Sequence, residues 1–399
     1  MVKALRDCFT ASVAEKLRWF KDAVWDGELG WQAELMLKDL IENSLEEEIT
    51  RQLGGVERYE RSEYRADLRN GYYTRDLDTQ HGSVHNLCVP RSRNGTYKPE
   101  VFDRYKRRTA AVNEAILGMF CRGVSTRQVG SILEVLTAAS VSHSTVSQVS
   151  KALDTHVQAY HQRPLEDKYL YLLLDGITLR CKGANGPKKV LVLTAYGIRA
   201  DGYRELIDFC QASSESEAQW TRFLESLRAR GLHGNALRLI TTDGANGLIA
   251  ALDMVYPMVS RQRCWVHKLR NVSNKLHKAN RDACIQQAQQ IYLAPNRREA
   301  TKRFRAWKLH WQAVEPKAVA CLGGDIDALL AFFDVPEPHR IIVRTTNAIE
   351  RSFREVRRRT NPMSCFNNPA SIDRIIFAVF AHQNANWDNR PINQFTHKT

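Results

Sequence analysis

The sequence predicts an α/β core, a mixed five-stranded sheet with helices, interrupted by an all-helical insertion and preceded by a mostly helical region that carries a small β-ribbon. Three observations predict it. A continuous apolar run, Tyr169-Leu-Tyr-Leu-Leu-Leu174, opens a series of strand-like segments that alternates with amphipathic helices, as a buried central strand in a layered domain should. Residues 268–343 interrupt that series with helical spacing alone. The chain before residue 164 is helical apart from two short strand-like runs near 72–79 and 84–89.

The totals bound the function. At 399 residues the chain is long enough for two or three domains. It carries 58 Lys+Arg against 44 Asp+Glu, a net charge of +14. That excess favours a polyanionic partner. Charge for solubility would give the same sum, but here the basic residues cluster with aromatics. The nine cysteines are odd in number and scattered, with no Cys-x-x-Cys pair, which fits a reducing compartment rather than a disulfide framework. The N-terminus lacks the apolar run of a secretory signal, and no apolar run reaches membrane-spanning length. The expectation is a cytoplasmic protein with no membrane partner.

Residues 1–57 are expected to be a helical dimerisation or DNA-binding region. Ser12 caps a first helix, and Leu37, Leu40, Ile41, Leu45 and Ile49 stripe a second that stops at Gly54-Gly55. Such a stripe either dimerises or packs on its own domain. Residues 58–108 form a basic β-ribbon region in which Arg58, Arg61, Arg65, Arg69 and Arg75 interleave with Tyr59, Tyr64, Tyr72 and Tyr73. That mixture can neutralise phosphates and stack on bases. Arg91 and Arg93 stand on a basic turn, and Arg104, Lys106, Arg107 and Arg108 continue the charge. An ordinary surface hairpin is the competing reading. Residues 109–163 read as a helix-turn-helix, with a helix from Thr126 to about Thr137, a connection at 138–142, and a second helix from His143 to Leu153 that presents Ser144, Thr145 and Gln148 to a groove. His161-Gln-Arg-Pro164 reads as a linker.

The first part of the core covers 164–267. The run 169–174 ends at Asp175-Gly176. Lys189–Ile198 and Tyr203–Cys210 follow as strands joined by the turn Arg199-Ala-Asp-Gly202. A helix (215–230), a strand ending at Thr242-Asp243-Gly244, a helix (246–256) and a short strand (258–264) complete it. This is the element order of the ribonuclease H-like fold. Asp175 and Asp243 then leave the sheet at the ends of neighbouring central strands. One Asp-Gly is a common turn; two in this order face something.

The insertion, 268–343, holds helices at 280–293, 297–311, 317–322 and 326–332, with Phe304, Trp307, Lys308 and Trp311 on one face of the second. Pro336-Glu-Pro338 breaks the chain before the last part of the core, 344–399. That part opens with Arg344-Thr-Thr-Asn-Ala-Ile-Glu-Arg-Ser-Phe-Arg-Glu-Val-Arg-Arg-Arg359. Thr346 or Asn347 caps this helix, and Ile349, Phe353 and Val356 form its apolar stripe. Glu350 sits at the stripe's edge, with Arg354 and Arg357 below it and Arg358 beside them. A solvated basic helix accounts for the same residues. A metal-holding, phosphate-gripping helix accounts for them together with the two Asp-Gly endings. Pro362 ends the helix, one more follows at 371–384, and the polar tail carries His397 and Lys398.

Phosphoryl transfer on DNA needs an activated nucleophilic oxygen and a stabilised leaving oxygen, which two Mg²⁺ ions about 4 Å apart supply. Carboxylates are the proper ligands for so hard a cation. Asp175 would bridge, Asp243 and Glu350 would hold the outer ions, and Arg357 would hold a nearby phosphate.

With those residues in place, the chain resembles the Mutator-type transposases, the bacterial IS256-like family of the DD(E) transposases. The resemblance covers nearly the whole chain. Its motifs are Leu174-Asp175-Gly176, Thr241-Thr242-Asp243-Gly244, Gln262-Arg-Cys-Trp-Val-His-Lys-Leu-Arg-Asn271 and Arg344–Glu350 with its arginine tail, with Arg69-Asn-Gly-Tyr-Tyr73 and Val89–Gly95 in the N-terminal half. It departs at Thr178, where many members carry an aromatic. The resemblance implies Asp175, Asp243 and Glu350 as catalytic triad and metal ligands, Mg²⁺ with Mn²⁺ as substitute, and 268–343 as the family's insertion. It also implies binding to double-stranded terminal inverted repeats and target DNA, a homodimer, strand transfer through a 3′-hydroxyl, and a place at the bacterial nucleoid. Lys268 and Arg270, inside the third motif, join the candidate DNA contacts. Cys264 and His267 form a Cys-x-x-His signature that positions the edge of the active site; two ligands do not make a zinc site. Two other readings stand beside this one: a catalytically silent sequence-specific DNA-binding protein derived from a transposase, and a nuclease for RNA–DNA hybrids, against which the long N-terminal region argues.

Overall fold

The computed structural model describes residues 28–60, 62–100, 107–137, 141–183, 186–361 and 365–396. The expected Ser12-capped helix, Arg61, Arg104, Lys106, residues 138–140 of the connection, Pro362 and the His397-Lys398 tail lie outside the described residues. The chain divides into two units, residues 1–120 with 125–150, and residues 121–124 with 151–399.

In the first unit, helix α1 (Glu28–Gln52) covers an antiparallel ribbon of β1 (Arg69–Thr79) and β2 (Gly82–Ser92). Two strands alone are marginal in water. Here Leu77, Val84, Leu87 and Val89 bury against Leu45, with Leu37 and Ile41 at the rim. Ile49 and Leu53 carry the stripe on to Tyr97. Leu40, expected in that stripe, is instead 67% exposed; it points about 140° away from Leu45 around the helix. Helices α2 (Ala110–Cys121), α3 (Thr126–Thr137) and α4 (His143–Ser150) follow. A Cβ on Gly130 would stand 2.4 Å from the Val141 carbonyl oxygen, so α3 needs glycine where the next segment crosses it. The second helix of the pair stops at Ser150, not Leu153. Leu153 opens a new helix, α5 (Leu153–Gln162). His161 therefore lies in a helix and not in a linker, with Nδ1 2.7 Å from buried Asp208.

The second unit is built on a five-stranded mixed sheet of order β5-β4-β3-β6-β7: β3 (Tyr169–Gly183), β4 (Gly186–Arg199), β5 (Arg204–Ala212), β6 (Leu239–Thr242) and β7 (Ser260–Arg263). β3, β4 and β5 run antiparallel, and β6 and β7 join in parallel. With α6 (Glu217–Ala229) between β5 and β6 and α7 (Asn246–Val255) between β6 and β7, this is compatible with a ribonuclease H-like core. Tyr171, Leu172, Leu173 and Leu174 are fully buried, as a strand covered on both faces requires. Trp220, Phe223, Leu224, Leu248 and Leu252 pack α6 and α7 on one face of the sheet. α15 (Pro369–Trp387) packs along β5, where Phe380 meets Phe209 edge-on at 5.4 Å. α14 (Asn347–Thr360) sets Ile349, Phe353 and Val356 beneath the surface against β3.

One expectation fails here. β3 does not end at Asp175-Gly176; it continues to Gly183, because β4 keeps pairing with it as far as Gly183↔Gly186. What ends at Leu174 is the pairing with β6.

Between β7 and α14 the chain is helical: α8 (Trp265–Ser273), α9 (Arg281–Tyr292), α10 (Arg297–Trp311), α11 (Pro316–Gly323), α12 (Ile326–Leu330) with a 3₁₀ turn (Ala331–Asp334), and α13 (Glu337–Val343). Phe304, Trp307 and Trp311 are core residues, while Lys308 faces out. Pro336-Glu-Pro338 opens α13 instead of breaking the chain, since proline is tolerated in a first turn whose N–H groups have no partner. The described cysteines are all free. No helix among the described residues is long and apolar enough to cross a membrane.

Phe353 is 2% exposed under the helix that carries Glu350. Phe353→Ala should lower the unfolding free energy by about 3–5 kcal/mol, read from the urea midpoint. A loss under about 1 kcal/mol would mean that α14 is not docked as described.

Candidate active site

The register of the sheet sets two carboxylates side by side. β3 and β6 pair in parallel up to Leu174↔Thr242, so Asp175 and Asp243 are the next residues on strands about 4.8 Å apart. The Gly176 N–H donates to Asp175 Oδ1 at 2.8 Å, and the Ala245 N–H to Asp243 Oδ1 at 3.0 Å. After Asp243 the chain turns tightly under Arg263. Gly244 has φ +85°, and a Cβ there would come within 2.4 Å of Arg263 Nε. The positive φ demands glycine.

Glu350 arrives on the first turn of α14, whose N-terminus is fastened to that of α8 at two points. Cys264 Sγ accepts from the Thr346 N–H at 3.3 Å and from its hydroxyl at 3.4 Å. One turn further along, His267 Nε2 stands 2.8 Å from Glu350 Oε1. The Cys-x-x-His spacing on one helix thus matches the Thr-x-x-x-Glu spacing on the other. Neither Thr346 nor Asn347 caps α14 with its side chain, contrary to expectation; the Thr346 hydroxyl is turned to the sulfur. Burial pushes the Cys264 thiol up, so it acts as a fastener and not as a thiolate ligand.

Asp175, His267 and Glu350 each place one ligand atom within 4.8 Å of the others. Asp243 is not a member of that trio, although its charge reaches Asp175. Asp175 is 7% exposed. Burial, then the carboxylates of Asp243, Glu350 and Glu215, push it up to about 7, against the Gly176 N–H. Glu215 is raised as well, by burial and by Asp243, with His267 opposing. It is the acidic neighbour that the sequence reading missed. It sits in the polar stretch Ser213-Ser-Glu-Ser216 with no periodicity to mark it, and its Oε1 would be 3.4 Å from a Cβ on Gly176.

The candidate DNA contacts divide. Arg69 is ion-paired with Glu46 and only 15% exposed, and the Tyr72 hydroxyl donates to the same Glu46; both brace the ribbon on α1. Tyr73 lies against the ribbon core, under the Arg91 guanidinium at 5.4 Å. Arg91 and Arg93 are exposed, and Arg75 is half-buried. Ser144 and Thr145 share hydrogen bonds with the Ser142 hydroxyl at 2.7 and 3.0 Å, while Gln148 is exposed. Lys268 is a correction: it is 3% exposed and ion-paired with Asp325, so its ammonium is turned into the fold. Arg270, Arg354, Arg357 and Arg358 are exposed.

Residues 25–390 match the profile of the family described as "Transposase, Mutator family". The chain is 34% identical over 360 residues to the transposase for insertion sequence element ISRM5 of Rhizobium meliloti, covering 90% of this chain and 89% of that one. It is 37% identical over 337 residues to the transposase for IS406 of Burkholderia multivorans (84% and 86%). It is 36% identical over 358 residues to the transposase for IS256 in transposon Tn4001 of Staphylococcus aureus (88% and 89%).

The raised Asp175 carries a sign for stability. An unfolded Asp titrates near 3.8 and the folded one at about 7, so the folded state binds the proton more tightly. Stability from this group is complete below about 4 and is lost as pH rises through about 7. In metal-free buffer, Asp175→Asn should therefore raise the melting temperature at pH 8 and leave it unchanged at pH 4. An equal shift at both pH values would contradict the burial and charge crowding.

Proposed function

The chain belongs to the Mutator family of transposases, and on that footing we propose that it binds the terminal inverted repeats of an insertion sequence and catalyses Mg²⁺-dependent DNA strand cleavage and strand transfer. One observation carries this reading: ligand atoms of Asp175, His267 and Glu350 converge within 4.8 Å, with Asp243 on the adjoining strand. Asp175, Asp243 and Glu350 are the catalytic carboxylates and hold Mg²⁺, or Mn²⁺ in its place. The donor set fits, because crowded, partly desolvated carboxylates are hard oxygen ligands in want of positive charge. The bound metal supplies activation of the attacking oxygen and stabilisation of the leaving one.

The chain's own residues do the rest. Asp175, the most buried of the three, stands among the other charges and would be the carboxylate most in need of a bound cation. His267 fixes one oxygen of Glu350 and leaves the other free to ligate. Arg354 and Arg357 follow Glu350 at i+4 and i+7, on the same face of α14 and exposed, so they grip phosphates beside the scissile bond. Arg358 and Arg270 extend that basic surface. In the first unit, Arg75, Arg91, Arg93 and Gln148 are the side chains offered to a duplex, by ribbon and helix pair. Residues 268–343 are an insertion into the catalytic core, between the parts at 164–267 and 344–399. The segments at 1–57, 58–108 and 109–163 form the DNA-binding and dimerising region of a homodimer that works at the bacterial nucleoid.

A labelled duplex of the flanking terminal repeat, incubated with Mg²⁺ or EDTA, tests this. Wild type should cut and join with Mg²⁺ alone, and Glu350→Gln should lose cleavage by a factor of about 10³ or more while still binding. Binding without cleavage by wild type would favour a silent DNA-binding descendant. Cleavage by Glu350→Gln would remove Glu350 from the catalytic set.

A further inference from the structure

A cavity of about 1070 Å³ opens on the flank of α14 next to Glu350. Its walls come from β4, β5, α8, the end of α9, α13, α14, the end of α15 and the segment 390–394 that follows it. Around α14, Arg354 lies about 40° and Arg351 about 100° from Glu350, so the basic face turns from the carboxylates into this cavity. Arg204, Arg344 and Arg390 face it from the other walls. Among the described residues, the one carboxylate in the lining is Glu355, and it is held by Arg359 at 2.6 Å. Arg351, Arg354 and Arg390 have no carboxylate partner among the described residues, so much of the positive charge is left for a ligand.

The cavity also holds aromatic faces. Tyr292 and Trp387 are half-buried in its walls. The Arg344 guanidinium stacks on Tyr292 at 4.8 Å and that of Arg204 on Trp387 at 5.1 Å, while Tyr196 supports Trp387 from below, edge-on at 5.7 Å. Arginines meet phosphates in a planar, two-pronged way that lysines do not. Aromatic and guanidinium planes in a concave site stack on base faces. A duplex keeps its base faces stacked inside itself; an unpaired strand offers them. The volume lies just above the range of about 300–1,000 Å³ that encloses a drug-sized ligand, which leaves room for more than one nucleotide.

We propose that this cavity is a subsite for a short unpaired DNA segment, the single strand next to the phosphate that the carboxylates attack. The proposal rests on the transposase reading above and adds to it the form of the DNA and the place that holds it.

The test is binding in EDTA, so that nothing is cut, read by fluorescence anisotropy with the full chain. The probes are a blunt terminal-repeat duplex and the same duplex with a short single-stranded flank. Wild type should bind the flanked duplex about tenfold tighter than the blunt one, the scale of one good base stack. Arg351→Ala/Arg390→Ala should lose that gain and keep its blunt-duplex affinity within about twofold; both side chains are exposed and have no carboxylate partner among the described residues, so the fold should survive. A flank labelled with iodouracil should crosslink to Tyr292 or Trp387. No gain from the flank in wild type, an equal loss on both probes in the double variant, or crosslinks confined to residues 28–150 would each overturn the proposal. If wild type binds neither probe, the transposase reading falls with it. If it binds both alike, only the cavity's role falls.

Discussion

Two contacts, Cys264 to Thr346 and His267 to Glu350, join the N-terminal turns of α8 and α14. The geometry of the carboxylate cluster hangs on that join. Asp175 and Asp243 are placed by a sheet register and need nothing more than β3 and β6. Glu350 comes from far along the chain and reaches them only if α14 is docked and correctly rotated. Docking comes from Ile349, Phe353 and Val356 beneath the helix. Rotation and height come from α8, which is itself tied to the sheet: the Cys264 N–H donates to the Thr242 carbonyl at 2.7 Å, one residue before Asp243. The three carboxylates are therefore linked through backbone and fastener as a unit, and the repulsion that adds to burial in lifting Asp175 is the consequence of holding them close.

The helical block braces the same corner from the other side. The Gln262 amide donates to the Leu329 carbonyl at 3.1 Å and accepts from the Phe332 N–H at 2.7 Å. Trp265 Nε1 donates to the Leu329 carbonyl at 2.7 Å. Asp325 takes both buried Lys268 and Arg263, and against the cost of burial these two cations hold its carboxyl below the usual range. Arg263 in turn lies over Gly244, next to Asp243. Removing one member of such a buried pair typically costs about 3–5 kcal/mol, so the block is coupled to the carboxylates through ordinary ion pairing.

Much of this was legible because it is periodic or local. The apolar run of β3, the stripe of α14, and helices such as 126–137 and 297–311 follow from spacing that a single element imposes on its own residues. The two Asp-Gly dipeptides pointed to carboxylates that lie side by side on adjoining strands, for a reason only half right: the second marks a strand end and a tight glycine turn, the first lies inside a strand that its hairpin partner prolongs. What stayed hidden depends on residues distant in sequence. Nothing near Lys268 announces Asp325, so a lysine in a basic motif read as a phosphate contact. Nothing near Arg69 announces Glu46. Thr346 looked like a cap because its sulfur partner is brought in by another helix. Glu215 carries no local signal at all.

Whether Asp175, Asp243 and Glu350 form a divalent-cation site is tested most directly by Fe²⁺-directed cleavage of the polypeptide itself. Fe²⁺ replaces Mg²⁺, ascorbate and peroxide generate hydroxyl radicals at the bound ion, and the fragments are mapped. The prediction is cuts near residues 175, 243 and 350, suppressed by excess Mg²⁺ and absent in Asp175→Asn. Cuts elsewhere in the chain, or the same cuts in Asp175→Asn, would contradict a cation site at these carboxylates.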